Sequence, residues 1–515
     1  MKKIIYLFII WGSVSLFPSC DLDTAPTDAV SATVIFETVE GAQVAVNGIY
    51  RALHEPSWST SWSHENPGMS AMTLVKDLHG EDHLMADQGQ GWFFYDYMFW
   101  IDDDYTGTSG RQYSQWNFNY TIVSQANYVI ANEEKLSELG SGGKDVVAQA
   151  YALRGMAYTC LYEWFCHGNY PINSSKPGVP IYTEPTTAAT KGKSRGTVAD
   201  VLVQVNSDFK KATDLFLEAG TSQSHSSHID LYTAYLLWAR VALIMEDWNN
   251  AAKYANEALK KPGLERVSTL GELGKFNNRS SKSVLWAFEV ITDQSGPYAY
   301  YMTHMDPEGG YGNRAPQCID RWLYDQIPAT DGRKTGWWGF VMENPTDPDY
   351  FENYGRYWQI KIRFADLITN VGDEIFARAE EAVLIAAEAA CRQSDWTTAR
   401  TLLSELGTKR DANYAARLAN RTNAATWNTD THGDFVTLMD EILFQRRVEL
   451  WGEGMGRAFD LRRLSLGYTR DYTGSNHPSK ATLRPDDPLF VTLLPQKEFD
   501  SNTEIDAKEQ NPRDN

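Results

Sequence analysis

The sequence predicts a mainly α protein: a tetratricopeptide-like helical scaffold with irregular, aromatic-rich loop insertions. Three observations lead there. Long segments carry apolar residues at helical spacing, as in Val198, Val201, Leu202, Val205, Phe209, Ala212 and Phe216. A helix-pair turn is written twice, as Asp247-Trp248-x-x-Ala251 and Asp395-Trp396-x-x-Ala399. Small alanines let two helices approach while the Trp fills the gap beside the turn, as in helical repeats. Two other stretches lack any period yet are dense in Gly, Trp and Tyr, too aromatic to read as disorder.

The elements follow in chain order. Lys2 and Lys3 precede an apolar run from Ile4 to Val14, and Leu16-Phe17-Pro18-Ser19 leads to Cys20. That order is a secretory signal over residues 1–19, with a core too short for a comfortable membrane span. A cysteine directly after the small Ser19 points to lipoprotein processing, with Cys20 as the acylated N-terminus. Each buried methylene adds about 0.8 kcal/mol, so several chains hold a soluble body on a membrane. Residues 20–33, polar and containing Pro26, read as the lipidated tether, and residues 34–515 as one body. Val39, Ala42, Val46, Ile49, Tyr50 and Leu53 mark a first helix. Trp116 to Leu139 reads as helical, as does Val146 to Phe165, which stops at Gly168 and Pro171. Thr197-x-x-Asp200 is a capping box for the next helix. Tyr232–Met245 with Trp248–Leu259, and Glu374–Arg392 with Trp396–Leu406, form the two hairpins; they are far apart in sequence, so no tandem array is expected. Val284 to Ile291 is a strand or buried segment, Phe435 to Trp451 the last clear helix, and Gly467 to Asn515 mostly loop. The scaffold thus occupies about 115–265 and about 373–465, and the insertions about 56–114 and about 281–372.

Composition narrows the function. The formal charge of −20 moves to near −22 when the signal takes away Lys2 and Lys3 and no acid. No basic run interrupts it, so nucleic acid is not an expected partner. Cys160 and Cys166 lie six residues apart on one helix, about 120° and about 9 Å apart, which disfavours a bridge. No C-x-x-C, H-E-x-x-H, G-x-S-x-G or Gly-rich phosphate loop is present, and no cofactor or metal is expected. Asp102-Asp103-Asp104 lacks the spacing and Gly of a calcium loop and reads as a solvated turn. The outlier is aromatic content, with 17 Trp, 27 Tyr and 21 Phe. Their wide apolar faces suit sugar rings and other flat ligands, and they also fill cores.

The segment from Arg446 to Arg463, Arg-Arg-Val-Glu-Leu-Trp-Gly-Glu-Gly-Met-Gly-Arg-Ala-Phe-Asp-Leu-Arg-Arg, resembles the SusD/RagB family of surface lipoproteins. Tyr151-Ala152-Leu153-Arg154, Gly168-Asn169-Tyr170-Pro171, Gly178-Val179-Pro180-Ile181-Tyr182 and Ser194-Arg195-Gly196-Thr197-Val198 match in the same order. So do Arg378-x-Glu380-Glu381, Leu493-Leu494-Pro495 and Asn511-Pro512. The resemblance implies outer-membrane nutrient binding, a tetratricopeptide-like fold, and a SusC-like TonB-dependent transporter as partner, over which the lipoprotein sits as a lid. Asp21 and Asp23 fit an acidic surface-export signal of that class. The crowded Arg446 segment itself reads as structural, with Arg446 and Glu449 one turn apart and able to pair.

Family members bind sugars on an aromatic surface, which places the candidates here in the two insertions. Trp92, Tyr95, Tyr97 and Trp100 come from the first; Tyr298, Tyr300, Tyr301, Trp322, Trp337 and Trp338 from the second. Asp77, Glu81, Asp96 and Arg314 are the expected hydrogen-bonding partners for hydroxyl groups. Non-catalytic capture of an oligosaccharide or polysaccharide at the exterior of the outer membrane is the expectation. An all-helical glycoside hydrolase, needing two carboxylates across a cleft, and a peptide-binding surface lipoprotein are the rivals.

Overall fold

The computed structural model describes residues 32–55, 63–66, 68–99, 107–108, 110–296, 298–341 and 354–512. The expectations for the signal, Cys20, Asp21, Asp23, Trp100 and Asp102 to Asp104 lie outside these residues. Helix α1 (Val39–His54) starts at Thr38, whose side chain accepts from the Gly41 N–H, and buries the predicted stripe from Ala42 to Leu53. Helix α2 (Gly68–Leu78) packs across it. Then come α3 (Gly110–Ile130), α4 (Ser141–Phe165), α5 (Val198–Ala219), α6 (Leu231–Ile244), α7 (Trp248–Ala258), α8 (Ala379–Arg392), α9 (Trp396–Gly407), α10 (Leu438–Glu449) and α11 (Arg457–Leu464).

From α3 to α9 each helix packs on the next. The capping box of α5 is closed as expected: the Thr197 hydroxyl accepts from the Asp200 N–H, and the Asp200 carboxylate from the Thr197 N–H. The two Asp-Trp turns share one backbone geometry. Glu246 (φ 56°) and Ser394 (φ 61°) are left-handed. Asp247 and Asp395 follow with φ −82°, ψ 78° and φ −84°, ψ 73°, each capping its helix from the side chain. Ala251 and Ala399 are buried where the helices meet. Although about a hundred and twenty residues separate them in sequence, the two hairpins stack directly, α7 on α8. The Arg392 guanidinium lies 4.8 Å from the centre of the Trp248 ring, and Gln393 donates to the Trp248 carbonyl at 3.2 Å. The scaffold is therefore continuous in space and the second insertion loops out of it.

Three expectations are corrected. The helix read over Trp116–Leu139 starts six residues earlier, ends at Ile130 and resumes as a short segment, Glu133–Glu138, beyond a break at Ala131 and Asn132. Glu374–Arg378 is strand rather than helix, because it pairs antiparallel with Val284–Phe288. Arg446 does not pair with Glu449. Its guanidinium meets Asp460 at 2.9 Å, while Glu449 is held by Arg333, Arg378 and Arg410 at 2.7–2.9 Å. The reading of the segment as structural survives with different partners. Gly452 (φ 76°) and Gly454 (φ 71°) turn the chain between α10 and α11 in a conformation closed to most side chains.

Six short strands are present among the described residues: β1 (His83–Met85), β2 (Val284–Phe288), β3 (Gln317–Ile319), β4 (Glu374–Arg378) and the two-residue β5 (Tyr468–Thr469) and β6 (Thr482–Leu483), which pair with each other. β1 pairs antiparallel with β3 and β2 with β4. The core is one contiguous cluster running from the scaffold helices into both insertions. Cys160, Cys166, Cys318 and Cys391 are free thiols.

Candidate ligand-binding face

The β1–β3 pair fastens the two insertions together. His83 lies opposite Ile319 and Met85 opposite Gln317, and the ladder extends to the Ala86 N–H on the Pro316 carbonyl at 2.9 Å. The loop leaving β1 and the loop entering β3 must therefore run side by side. Gly89 and Gly91 are both left-handed, at φ 54° and 91°. A Cβ on Gly89 would lie 2.9 Å from Ala315 Cβ, and one on Gly91 would lie 3.0 Å from the Tyr95 ring. These two glycines let the first loop lie flat against its neighbours.

The close approach assembles an aromatic face. Trp92 stacks on His64 with centroids 5.3 Å apart and 27° between planes. Tyr311 meets the Trp92 edge at 6.2 Å, and Tyr298 meets Tyr311 at 5.6 Å and His64 at 6.1 Å. Trp92 and Tyr311 are half-buried, whereas Tyr298 keeps 55% of its surface open. Beneath them His304 stacks on Tyr311 at 4.9 Å and donates from Nε2 to the His64 carbonyl at 2.8 Å. Burial pushes His304 down to about 3, so it supports the face as a neutral ring.

Arg111, at the start of α3, holds the first loop from below. It donates to Asp96 from Nε at 3.1 Å and from Nη2 at 2.9 Å, to the Glu65 carbonyl at 2.8 Å and to the Glu65 carboxylate at 3.3 Å. Its guanidinium also covers Phe93 at 5.2 Å. Two carboxylates beside the rings are thereby committed to one arginine.

The other expected residues go to several places. Tyr95 is half-buried next to Trp92, and its hydroxyl accepts from Gln88 at 3.0 Å. Arg314 is exposed beside Gly89. Tyr300, half-buried, faces His54 at 5.9 Å on the other side of its loop. Trp322 belongs to a separate group with His432 (5.2 Å) and Phe435 (5.7 Å), covered by Arg447. Seven of the expected ligand contacts, Asp96 on Arg111 among them, are interior and offer no ring or carboxylate to a ligand. Trp337 and Trp338 are 2% and 1% exposed; Lys361 sits 4.4 Å over the former, and Trp451 packs against the latter. Tyr97 lies under Arg470 at 4.4 Å with its hydroxyl on His477, and Tyr301 donates to the Gly452 carbonyl at 3.0 Å. Asp77 accepts from the Gly454 N–H at 3.1 Å, and burial pushes it up to about 7. Glu81 is likewise buried, paired with Arg457 and Arg447. Sequence reasoning missed His64 and Tyr311. Tyr311 did carry a signal, since it sits between Gly310 and Gly312 in an otherwise polar turn.

Residues 66–243 match the family model described as starch-binding, associating with outer membrane, and residues 284–512 match the model described as the SusD family. A SusD-like protein of Formosa agariphila is 25% identical over 215 residues, which is 41% of this chain and only 37% of that relative's length. A SusD-like carbohydrate binding protein from Bacteroides vulgatus superposes with a TM-score of 0.74 at 23% identity, covering 92% of this chain and 98% of the other. Surface glycan-binding protein A from Bacteroides thetaiotaomicron, solved in complex with laminarihexaose, superposes with a TM-score of 0.66 at 18% identity, covering 92% and 99%. The two models match in chain order, on a helical fold shared over 92% of the residues, and the chain belongs to the SusD/RagB family.

Proposed function

We propose that this protein is a non-catalytic, lipid-anchored glycan-binding protein of the cell surface, which captures oligosaccharide and delivers it to a SusC-like TonB-dependent transporter. The observation that carries the reading is the face formed by Trp92, Tyr298 and Tyr311 on His64, where flat rings from two insertions meet with part of their surface open. Stacked rings supply apolar contact with the C–H faces of pyranoses, and neighbouring polar groups such as Arg314 and Gln88 select hydroxyls. The laminarihexaose-bound relative supports an oligosaccharide as the ligand. The family description supports the outer membrane as the location. Among the described residues no helix is long and apolar enough to cross a membrane; attachment through an acylated Cys20 is part of this reading. Binding rather than hydrolysis is favoured by the state of two carboxylates in the first loop, Glu65, which follows His64 in the chain, and Asp96. Both are tied to Arg111, whereas a glycosidase needs one carboxyl kept protonated and a second free to attack or to activate water.

The test is affinity electrophoresis on a panel of neutral polysaccharides. A polysaccharide that retards the native protein should lose its grip on Trp92→Ala and Tyr298→Ala by about tenfold each, the loss of one well-packed ring. Trp322→Ala should migrate as the native protein does. Undiminished retardation of both face variants would place the site elsewhere, and release of oligosaccharide during the run would turn the reading toward a hydrolase.

A further inference from the structure

A groove of about 740 Å³ runs along the face of α3 turned away from Arg111. Tyr113, Trp116 and Tyr120 line it at i, i+3 and i+7. Tyr113 is two residues, or about 200°, around the helix from Arg111, so the ligand face and the groove flank opposite sides of the first turns. Tyr182, from the loop before α5, closes the ring series: Trp116 to Tyr120 is 4.8 Å and Tyr120 to Tyr182 is 5.9 Å. Tyr113, Tyr120 and Tyr182 are half-buried and Trp116 forms the floor.

The polar tips of Trp116, Tyr120 and Tyr182 are already engaged. Trp116 Nε1 donates to Glu498 at 3.1 Å, the Tyr120 hydroxyl donates to the Pro180 carbonyl at 2.7 Å, and the Tyr182 hydroxyl accepts from the Lys193 N–H at 3.1 Å. The rings are therefore fixed in orientation before anything binds, which lowers the ordering cost of a ligand. The walls offer hydroxyls and amides from Asn117, Thr187 and Thr190, and their charges balance, Lys191 and Lys497 against Glu498 and Asp500. Lys497 stands 3.7 Å over the Tyr113 ring. The volume lies within the range of small-ligand sites.

We propose that this groove is a second carbohydrate site, taking an uncharged oligosaccharide stacked along Tyr113, Tyr120 and Tyr182. The charge balance disfavours a polyanion, and the rigid rings among hydroxyls and amides suit pyranose units better than a peptide backbone. The proposal rests on the glycan-binding reading of the Trp92 face and extends it: one polysaccharide chain, or two, would be held at two points, and linked binding events raise overall affinity without new contacts at either site.

The experiment is calorimetric titration of the full chain in mild detergent with laminarihexaose, maltohexaose and xylohexaose, and affinity electrophoresis with the matching polysaccharides. A Trp92→Ala/Tyr298→Ala variant should retain one class of site, and adding Tyr113→Ala/Tyr182→Ala should abolish it. Because ring removal can disturb folding, Thr187→Trp, which fills the groove from its exposed rim, is the second probe and should reproduce the loss with an unchanged thermal melt. In the native chain, Thr187→Trp should weaken polysaccharide retardation by about tenfold. Binding of native protein with one site per chain, unaffected by Thr187→Trp or Tyr113→Ala/Tyr182→Ala, overturns the groove and leaves the Trp92 face standing. Binding by the groove that survives while the Trp92 variant equals native protein overturns the face and supports the groove. Specific retention of a transporter-derived peptide in the groove, blocked by Thr187→Trp and insensitive to sugars, overturns the proposal.

Discussion

Replacing Glu449 by Gln is the sharpest probe of the Arg446 segment as a structural device. Glu449 is fully buried and meets Arg333 Nη1 at 2.9 Å, Arg378 Nη1 at 2.7 Å and Arg410 Nη2 at 2.8 Å. Lys361 joins these arginines through Glu453, so four cations face four anions, Asp331, Glu380, Glu449 and Glu453. Gln keeps the shape and removes one negative charge, leaving four cations against three anions away from water. Breaking a buried pair this way costs about 3–5 kcal/mol, a large share of the roughly 5–15 kcal/mol that holds a typical domain. Burial alone would raise the Glu449 carboxyl, but Arg410 and Arg378 outweigh it and hold it well below the usual 4.5. A depressed carboxylate contributes stability that is present above its unfolded value and lost as pH falls through the folded one. The native protein should therefore weaken below about pH 4.5 on this account, and the Gln variant should lack that part of the acid limb. Urea denaturation followed by Trp fluorescence measures both. Glycan retardation of the folded variant should stay native, because no atom of the network belongs to the ligand face. A variant within about 1 kcal/mol of native stability would refute the reasoning, as would native stability with lost binding.

Two other perturbations test the buried charges from different directions. Asp77 is raised to about 7 from 3.8, chiefly by burial, so its contribution to stability is fully present below pH 3.8 and is lost as pH rises through 7. The stability of Asp77→Asn relative to native should accordingly climb by about 4 kcal/mol between pH 4 and pH 8, since three pKa units correspond to that energy; a difference independent of pH in urea titrations would contradict the assignment. Arg111→Met removes the cation paired with buried Asp96 and should cost about 3–5 kcal/mol and loosen the Trp92 loop. Adding Asp96→Asn should recover most of the thermal stability, and failure of that rescue would show that Arg111 acts through Glu65 or Phe93 instead.

Much of the scaffold was legible because its signals are local. The stripe from Val198 to Phe216 and the Thr197–Asp200 box define α5 within one window, and each Asp-Trp-x-x-Ala turn carries its own cap. What failed was non-local. Glu374–Arg378 is five residues that suit a helix start or a strand, and the deciding partner, Val284–Phe288, lies about ninety residues earlier. The stacking of α7 on α8 is hidden by the insertion between them. The ligand face divides the same way. Dense rings in two aperiodic loops pointed to Trp92 and Tyr298. Whether a given ring faces water was decided by distant residues: Lys361 over Trp337, Arg470 over Tyr97, Trp451 against Trp338. His64 and Tyr311 draw their place at the face from contacts with Trp92 and each other, which no spacing within either loop encodes.

Those distant residues also explain why so much charge is buried. Loops of this length have few ladder hydrogen bonds to hold them, yet single rings bind well only if they do not have to be ordered first. The turn from α10 to α11 supplies the missing constraints. Arg447 and Arg457 grip Asp82 and Glu81 at the root of the first insertion. Glu449 and Glu453 grip Arg333 and Lys361 in the second. Ion pairs inside a protein are a weak source of net stability, because desolvation offsets their attraction, but an unmatched partner is heavily penalised. Such a network therefore discriminates one loop arrangement from its neighbours more than it deepens the native well. The segment that most resembles an active site is thus best understood as an anchor that holds both insertions on the scaffold, while the β1–β3 pair sets how closely the Trp92 loop approaches the loop of Tyr311.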